Sequence, residues 1–402
     1  MILTPTRRGV LKGGAAIAAS SMLPLPAIAK GQTIKIGNTM PYSGPASAYG
    51  QIGMTIGHYI EKLNADGGVK GVKFEWVSYD DGYSPPKTFE QTQRLVESDE
   101  VHFLMSSLGT PTVSAINDYT NAMEIPLLFV SSGASKWGHP ETHPWTMGWQ
   151  PDYVSEGRIY GRYVLSEAPG GKVGILYQND DYGKDYVNGF KEALGDKVSM
   201  IVAEEPYEVS DPTVDSQIIK LKSAGADIFL NITTPKFAAQ AIRKVAELGW
   251  KPLHLLNNVS QSVGAVLKPA GLDNSKDIVS ASYAKDPTDP AMKDDETMLA
   301  MHAFLDQYYP DADRASSFTV FGYGHGLTLE HLFNQLGDDL SREAIMSAAA
   351  NLDFKLGTLR PGVTIKTSET DFYPIQSMWL TRFDGNSWVA FGDVLSGAAQ
   401  GS

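Results

Sequence analysis

The sequence predicts an α/β protein built from two doubly wound, Rossmann-like lobes, and three observations carry that expectation. From residue 33 onward, short apolar strands alternate with helical segments, the pattern of parallel sheets covered by helices. The alternation breaks at 137–153, where His, Pro and Trp interrupt it, and restarts with a fresh strand at Lys172. A second break at 286–292, rich in Asp and Pro, is followed by mostly helical sequence to Ala350 and then by strand-like patches that include 375–383. A chain that begins in one lobe, fills a second, returns, and ends in the second would produce these breaks. The lobes are expected at 31–151 with 284–354, and at 152–283 with 355–402.

The strands of the first lobe are expected at 34–38, 73–79, 102–106 and 127–131. Those of the second are expected at 172–178, 198–204, 227–232, 252–257 and 277–282. Turn and cap residues open the helices between them: Ser43-Gly44-Pro45 before 46–64, Ser84-Pro85-Pro86 before 87–98, Thr110-Pro111 before 112–123, and Asp211-Pro212 before 213–224. Proline in a first turn gives up only an N–H that would have no partner there. Each strand-to-helix junction is where a doubly wound sheet places its ligand loops. No internal repeat of fixed period interrupts this rhythm.

Composition narrows the function. The chain has 402 residues, 42% hydrophobic and 20% charged, as expected of a globular protein of two or three domains at roughly 150 residues each. Its 46 acidic and 33 basic residues leave a net charge of −13, which repels phosphate backbones and anionic membranes, so nucleic acid and membrane surfaces are not expected partners. The absence of cysteine removes disulfides, thiolate nucleophiles and cysteine-bound metals. At the N-terminus, Arg7-Arg8 and Lys12 precede an uncharged run from Gly13 that ends in Ala27-Ile28-Ala29, the layout of an export signal over 1–29 with an A-x-A cleavage site. Paired arginines before a weakly apolar segment resemble a twin-arginine signal, and an ordinary secretory signal containing Arg-Arg is the alternative. No later run approaches the ~18 apolar residues of a membrane span. The mature protein is expected to be a periplasmic monomer.

A search for catalytic constellations returns little. P-loop, H-E-x-x-H and G-x-S-x-G patterns are missing, and the glycines of 322–326 lack the preceding strand that a dinucleotide fold needs. His139 and His143 stand four apart, but Pro140 and Pro144 forbid a regular helix there, so they are read as loop residues and no metal or cofactor is expected. The acid pairs Asp80-Asp81 and Asp180-Asp181 each follow a strand; helix capping and loop hydrogen bonding are preferred to acid–base catalysis. An enzyme is therefore not expected.

What recurs at strand ends is small polar and aromatic residues. The run 40–50, with Tyr42 and Tyr49, follows the first strand. Ser106-Ser107-Leu108-Gly109-Thr110 follows the third, and Ser131-Ser132-Gly133-Ala134-Ser135 follows the fourth. Hydroxyls and free backbone N–H groups in such loops form a neutral cradle for a carboxylate. Three of them on one sheet edge point to a site rather than to capping alone.

These loops, with Gly67-Gly68-Val69-Lys70-Gly71, Tyr79-Asp80-Asp81, Ile125-Pro126 and Asp181-Tyr182-Gly183-Lys184 in this order and spacing, resemble the branched-chain amino-acid type of periplasmic solute-binding protein over about 31–395. The resemblance implies a type I periplasmic binding fold whose lobes, joined by a hinge of three crossovers, close on a solute and deliver it to an ABC permease with its ATPase subunits. Carried over by position, Gly109, Thr110, Ala134 and Ser135 would hold the ligand's carboxylate, Tyr49 and Tyr182 would flank it from the two lobes, and Thr234 lies where relatives have another tyrosine. Phe321 completes the implied wall.

One departure bears on the ligand. Amino-acid binders of that family offer a glutamate to the ligand's ammonium on the loop after the second lobe's fourth strand, and here that loop reads Leu256-Asn257-Asn258-Val259-Ser260-Gln261. Val259 falls at the glutamate's place. An ammonium buried without its carboxylate loses a charge-assisted bond of ~1.5–3 kcal/mol. A carboxylate that lacks the ammonium fits better, with Asn257, Asn258 and Gln261 as partners for its far end. Trp137, Trp145, Trp149, Tyr153 and Tyr42 around the expected hinge suit a flat ring. The stretches 40–50, 84–87 and 145–150 also resemble the family subset that takes up aromatic carboxylates. An aromatic or hydrophobic acid is thus the expected solute, ahead of a branched-chain or other amino acid and of an amide or urea. A sensor component that presents its closed form to a receptor would use the same pocket.

Overall fold

The computed structural model describes residues 33–398. The expected export signal, 1–29, lies outside the described residues. Among them, no helix is long and apolar enough to cross a membrane.

The first sheet has four parallel strands in the order β2-β1-β3-β4: β1 Thr33–Met40, β2 Lys73–Asp80, β3 Phe103–Met105 and β4 Leu127–Leu128. Helices α1 Gly50–Ala65, α2 Pro85–Gln93 and α3 Thr110–Ala122 connect and cover them. α2 runs on as a π-turn over Arg94–Ser98. Ile34 and Ile36 of β1 are wholly buried, as a central strand with helices on both faces requires. Asn38 on the same strand is also buried, and is matched by donating to Met105 O at 2.9 Å and accepting from Ser78 Oγ at 2.7 Å.

α4 Tyr153–Glu167 leads into the second sheet, whose strand order is β13-β12-β9-β8-β7-β5-β6. Its strands β5 Val173–Gln178, β6 Ile201–Tyr207, β7 Ile228–Ile232, β8 Leu253–Leu256 and β9 Val279–Ser282 are parallel. Between them run α5 Asp181–Leu194, α6 Asp215–Ser223, α7 Pro235–Glu247 and the short turns α8 Lys268–Ala270 and α9 Leu272–Ser275. The chain then leaves this sheet. α10 Glu296–Tyr308 and α11 Ser317–Gln335 pack on α1, and α12 Arg342–Ala349 follows. Arg342 on α12 donates to the carbonyls of Val101 and His102 beside β3. The small hairpin β10 Asp353–Phe354 with β11 Ile365–Lys366 leads back to β12 Ser377–Phe383, antiparallel to β9, and to β13 Trp388–Ser396, antiparallel to β12.

The expected α/β class and doubly wound architecture are present. Two details differ from the sequence reading. The strand expected at 198–204 is observed at Ile201–Tyr207, because Gly195–Met200 closes into a 3-10 turn. β13 was not expected: its exposed positions and Gly392 at φ 72° break the alternation that marks a strand.

The first sheet reverses its winding between β1 and β3, and the second between β5 and β7. The crevices at the carboxyl ends of those strand pairs are where an open α/β sheet binds ligands. They face each other across one cavity.

Candidate functional site

The cavity is lined from both sheets, a concave position of the kind where small-molecule sites occur. From the first sheet come Tyr49 after β1, Tyr83 after β2, and Leu108, Gly109 and Thr110 after β3. From the second come Tyr182 after β5, Thr234 after β7, and Asn258, Val259 and Gln261 after β8. Tyr153 at the start of α4, Tyr283 after β9, and Phe318 and Phe321 on α11 close the sides. The wall therefore carries seven aromatic rings, and no Asp, Glu, Lys, Arg or His lines it among the described residues. Burial pushes the phenols of Tyr49, Tyr83, Tyr182 and Tyr283 well above their ordinary range, so they stay neutral.

Gly109 is required where it stands. Its φ is 102°, and a Cβ there would meet the Tyr83 ring at 2.5 Å and Thr112 Oγ1 at 2.6 Å. As N-cap of α3 it brings no side chain to the helix start, which leaves the positive end of the helix dipole turned to the cavity. Thr110 adds a hydroxyl. Its Oγ1 lies 2.7 Å from Ser132 Oγ, and Ser132 Oγ already accepts from Trp137 Nε1 at 2.9 Å and from Ala134 N at 3.3 Å. The Ser132 proton therefore goes to Thr110 Oγ1, and the Thr110 proton is left free for an anion.

Of the residues expected from sequence, the cavity brings together Tyr49, Leu108, Gly109, Thr110, Tyr182, Thr234, Asn258, Val259 and Phe321. Tyr42, Ser132, Gly133, Ala134 and Ser135 are placed behind it. Tyr42 bonds Ser78 Oγ at 2.6 Å and packs on α1. Ser132 supports Thr110 from the rear, Gly133 accepts from Tyr153 N at 2.7 Å, and Ala134 is buried in the first sheet's core. Ser135 corrects the expectation of a carboxylate donor: its N–H donates to Asp185 Oδ2 at 2.8 Å, across to α5. Beside it Lys136 pairs with Asp181 at 2.8 Å. Of the aromatics expected near the hinge, Tyr153 lines the cavity, while Trp137 and Trp149 are core.

Asn258 lines the cavity with its amide already engaged. Its backbone N–H donates to Glu156 Oε1 at 2.8 Å and its Nδ2 to Glu156 Oε2. Glu156, on α4, is fully buried and also accepts from Tyr160 OH at 2.6 Å and Tyr186 OH at 2.7 Å. Burial outweighs these four donors and raises its carboxyl to about 7. Asn257 is likewise occupied: its oxygen accepts from Tyr182 OH at 2.5 Å, and its nitrogen faces Thr233 O and Asn231 O. Sequence reasoning missed Glu156, whose role comes from a contact 102 residues away.

The acid pairs act as loop and cap residues. Asp80 accepts from Ser43, Gly82 and Lys87, and these bonds outweigh its desolvation and hold its carboxyl down at about 2. Asp180 caps α5 through Tyr182 N at 3.0 Å and Gly183 N at 3.3 Å. His139 and His143 meet Glu141 and Asp118 on the surface.

A sequence model of the family described as periplasmic binding protein matches residues 33–387. The chain belongs to that family. This periplasmic binding protein is 23% identical over 353 residues to the Leu/Ile/Val-binding protein homolog 7 of Brucella abortus, covering 84% of its own length and 86% of that protein. Its fold matches a branched-chain amino acid ABC transporter protein of Thermus thermophilus with bound valine, with TM-score 0.82, 16% identity, and 91% and 97% of the two chains covered. It also matches an ABC transporter solute-binding protein of Rhodopseudomonas palustris BisB5 in complex with 3,4-dihydroxybenzoic acid, with TM-score 0.76, 19% identity, and 92% and 99% covered. The family is extracytoplasmic and binds solutes for transport rather than transforming them.

Proposed function

We propose that this protein is the periplasmic component of an ABC importer that captures an aromatic or hydrophobic carboxylate between its lobes and delivers it to a membrane permease. The observation that carries the reading is the cavity wall, with seven aromatic rings and no charged side chain; the family resemblance adds that Val259 stands where an ammonium would need an acid. The solute's carboxylate lies against the free Thr110 hydroxyl and the uncapped start of α3. Its ring lies among Tyr49, Tyr153, Tyr182 and Phe318, where stacking adds to apolar burial. The lobes are 31–151 with 284–354 and 152–283 with 355–402, moving about a hinge of three crossovers. Tyr49 OH donating to Val259 O at 3.2 Å, and Ser135 N–H donating to Asp185, are contacts between them that favour the closed state.

The likeness to Leu/Ile/Val-binding proteins supports a second reading, capture of a branched-chain amino acid. A thermal-shift panel of aromatic acids, branched-chain amino acids and amides separates the two, because a solute that binds only the folded state raises the melting temperature. The first reading predicts a rise with 3-phenylpropanoate or benzoate that exceeds the rise with leucine or phenylalanine. A rise with leucine alone supports the second.

A further inference from the structure

Behind the cavity wall lies a carboxyl that meets no cation. Glu156 on α4 is fully buried. Its Oε1 accepts from Asn258 N at 2.8 Å and Tyr160 OH at 2.6 Å, and its Oε2 accepts from Tyr186 OH at 2.7 Å and from Asn258 Nδ2. The titratable groups that face it are phenols: Tyr153 and Tyr160 on α4, Tyr186 on α5 and Tyr283 after β9. Burial keeps all four neutral. Among the described residues no Lys, Arg or His bonds Glu156. Asn258 touches Glu156 and also lines the cavity, as do Tyr153 and Tyr283, so one layer of side chains separates this acid from the solute.

The same geometry has a place for a proton. Tyr160 OH lies 2.8 Å from Leu256 O as well as 2.6 Å from Glu156 Oε1, and its oxygen accepts from Ala281 N at 3.0 Å. With Glu156 ionised, the Tyr160 proton goes to Oε1. With Glu156 protonated on Oε1, the Tyr160 proton turns to Leu256 O and the phenol oxygen accepts the new one. Both states keep the two Asn258 bonds, so the proton changes the charge behind the wall and leaves the wall in place. An anionic solute meets no cation on that wall, and a second negative charge behind Asn258, in the same water-poor interior, repels it. We propose that Glu156 takes up a proton when the solute's carboxylate enters the cavity, so that capture is proton-linked. This rests on the carboxylate reading above. Because burial raises the Glu156 carboxyl to about 7, it is partly ionised near neutral pH and has a proton to gain there. Affinity is then highest at low pH, where that proton is already bound, and declines as pH rises.

Calorimetric titration of the full mature chain with 3-phenylpropanoate and with benzoate tests this, run in phosphate and in Tris so that the difference in heats counts the protons exchanged. Both acids are ionised across the range used. The wild type is expected to take up about half a proton per solute at pH 7.5 and almost none at pH 5.5, and to bind about fivefold more weakly at pH 8 than at pH 6. Glu156→Gln is expected to abolish the uptake and flatten the pH dependence. Asp180 also acts on Tyr153 and is itself raised by burial, so Asp180→Asn, which keeps a capping side chain, is the control and should leave the uptake in place. Binding without proton uptake at pH 7.5 overturns the inference alone, as does uptake that survives Glu156→Gln or is lost in Asp180→Asn. Binding of neither acid overturns the carboxylate reading and the inference with it. If Glu156→Gln fails to fold, the wild type and Asp180→Asn decide.

Discussion

Val259 and Thr110 mark the two ends of the recognition problem. Val259 lines the cavity, and the family resemblance puts it where an amino-acid binder offers a carboxylate; on that reading a bare ammonium brought there surrenders its hydration without compensation. Val259→Glu should therefore narrow or reverse the preference for 3-phenylpropanoate over phenylalanine by about tenfold or more. Titrating both ligands against both proteins gives a cycle whose coupling term measures it, and a zero coupling would place the ammonium elsewhere. At the other end, Thr110→Val removes the free hydroxyl donor and strands the Ser132 proton that it accepts. Carboxylate affinity should fall about tenfold, with Thr110→Ser restoring most of it; unchanged affinity in Thr110→Val would show that the carboxylate is held by backbone alone. At this scale the sequence made legible the residues on strand-end loops, Tyr49, Gly109, Thr110, Tyr182 and Val259, because a doubly wound sheet puts its ligand loops there. It gave no sign that Ser135 would face Asp185 or that Asn258 would be held by Glu156, since those partners meet only through packing.

The elements differ in how far local sequence determines them. α5 has its Asp180 cap and α11 its Ser316 cap, both readable from the chain, whereas β13 pairs with β12 across a register shift at Trp379/Leu380 that no periodicity announces. The tie between α4 and the loop after β8 is of the second kind. Glu156 joins them, with Tyr160 from α4, Tyr186 from α5 and Asn258 from the loop as its donors. Its carboxyl is raised from the usual 4.5 to about 7 by burial. The folded state then holds a proton between these values that the unfolded state has lost, so stability from this group is fully present below pH 4.5 and declines as pH rises toward 7. The amide in Glu156→Gln does not titrate. Calorimetric unfolding at pH 5 and pH 8 should therefore show the variant gaining on the wild type at the higher pH, by up to about 3 kcal/mol. A difference between the two proteins that does not move with pH would mean that Glu156 keeps its charge in both states.

For the whole molecule, the two facing sheets and their shared crevice were legible in the breaks of the βα rhythm, because each break is a place where one hydrophobic core ends and another begins. How the lobes touch was not legible, since those contacts join residues distant in sequence, such as Tyr49 with Val259 and Lys136 with Asp181. The Lys136–Asp181 pair is exposed and adds little by itself; on the proposed reading, solute held by both walls adds to the Tyr49 and Ser135 contacts in favouring the closed state. Small-angle scattering should accordingly show a smaller radius of gyration with saturating solute than without, and an unchanged radius would rule out capture by closure. The charge that the cavity accepts separates an acid binder from an amino-acid binder. Calorimetric titration of the wild type with 3-phenylpropanoate and with phenylalanine tests that most directly, because the two differ only by the ammonium. Tighter binding of 3-phenylpropanoate, by about tenfold or more, is the predicted result; tighter binding of phenylalanine would contradict it.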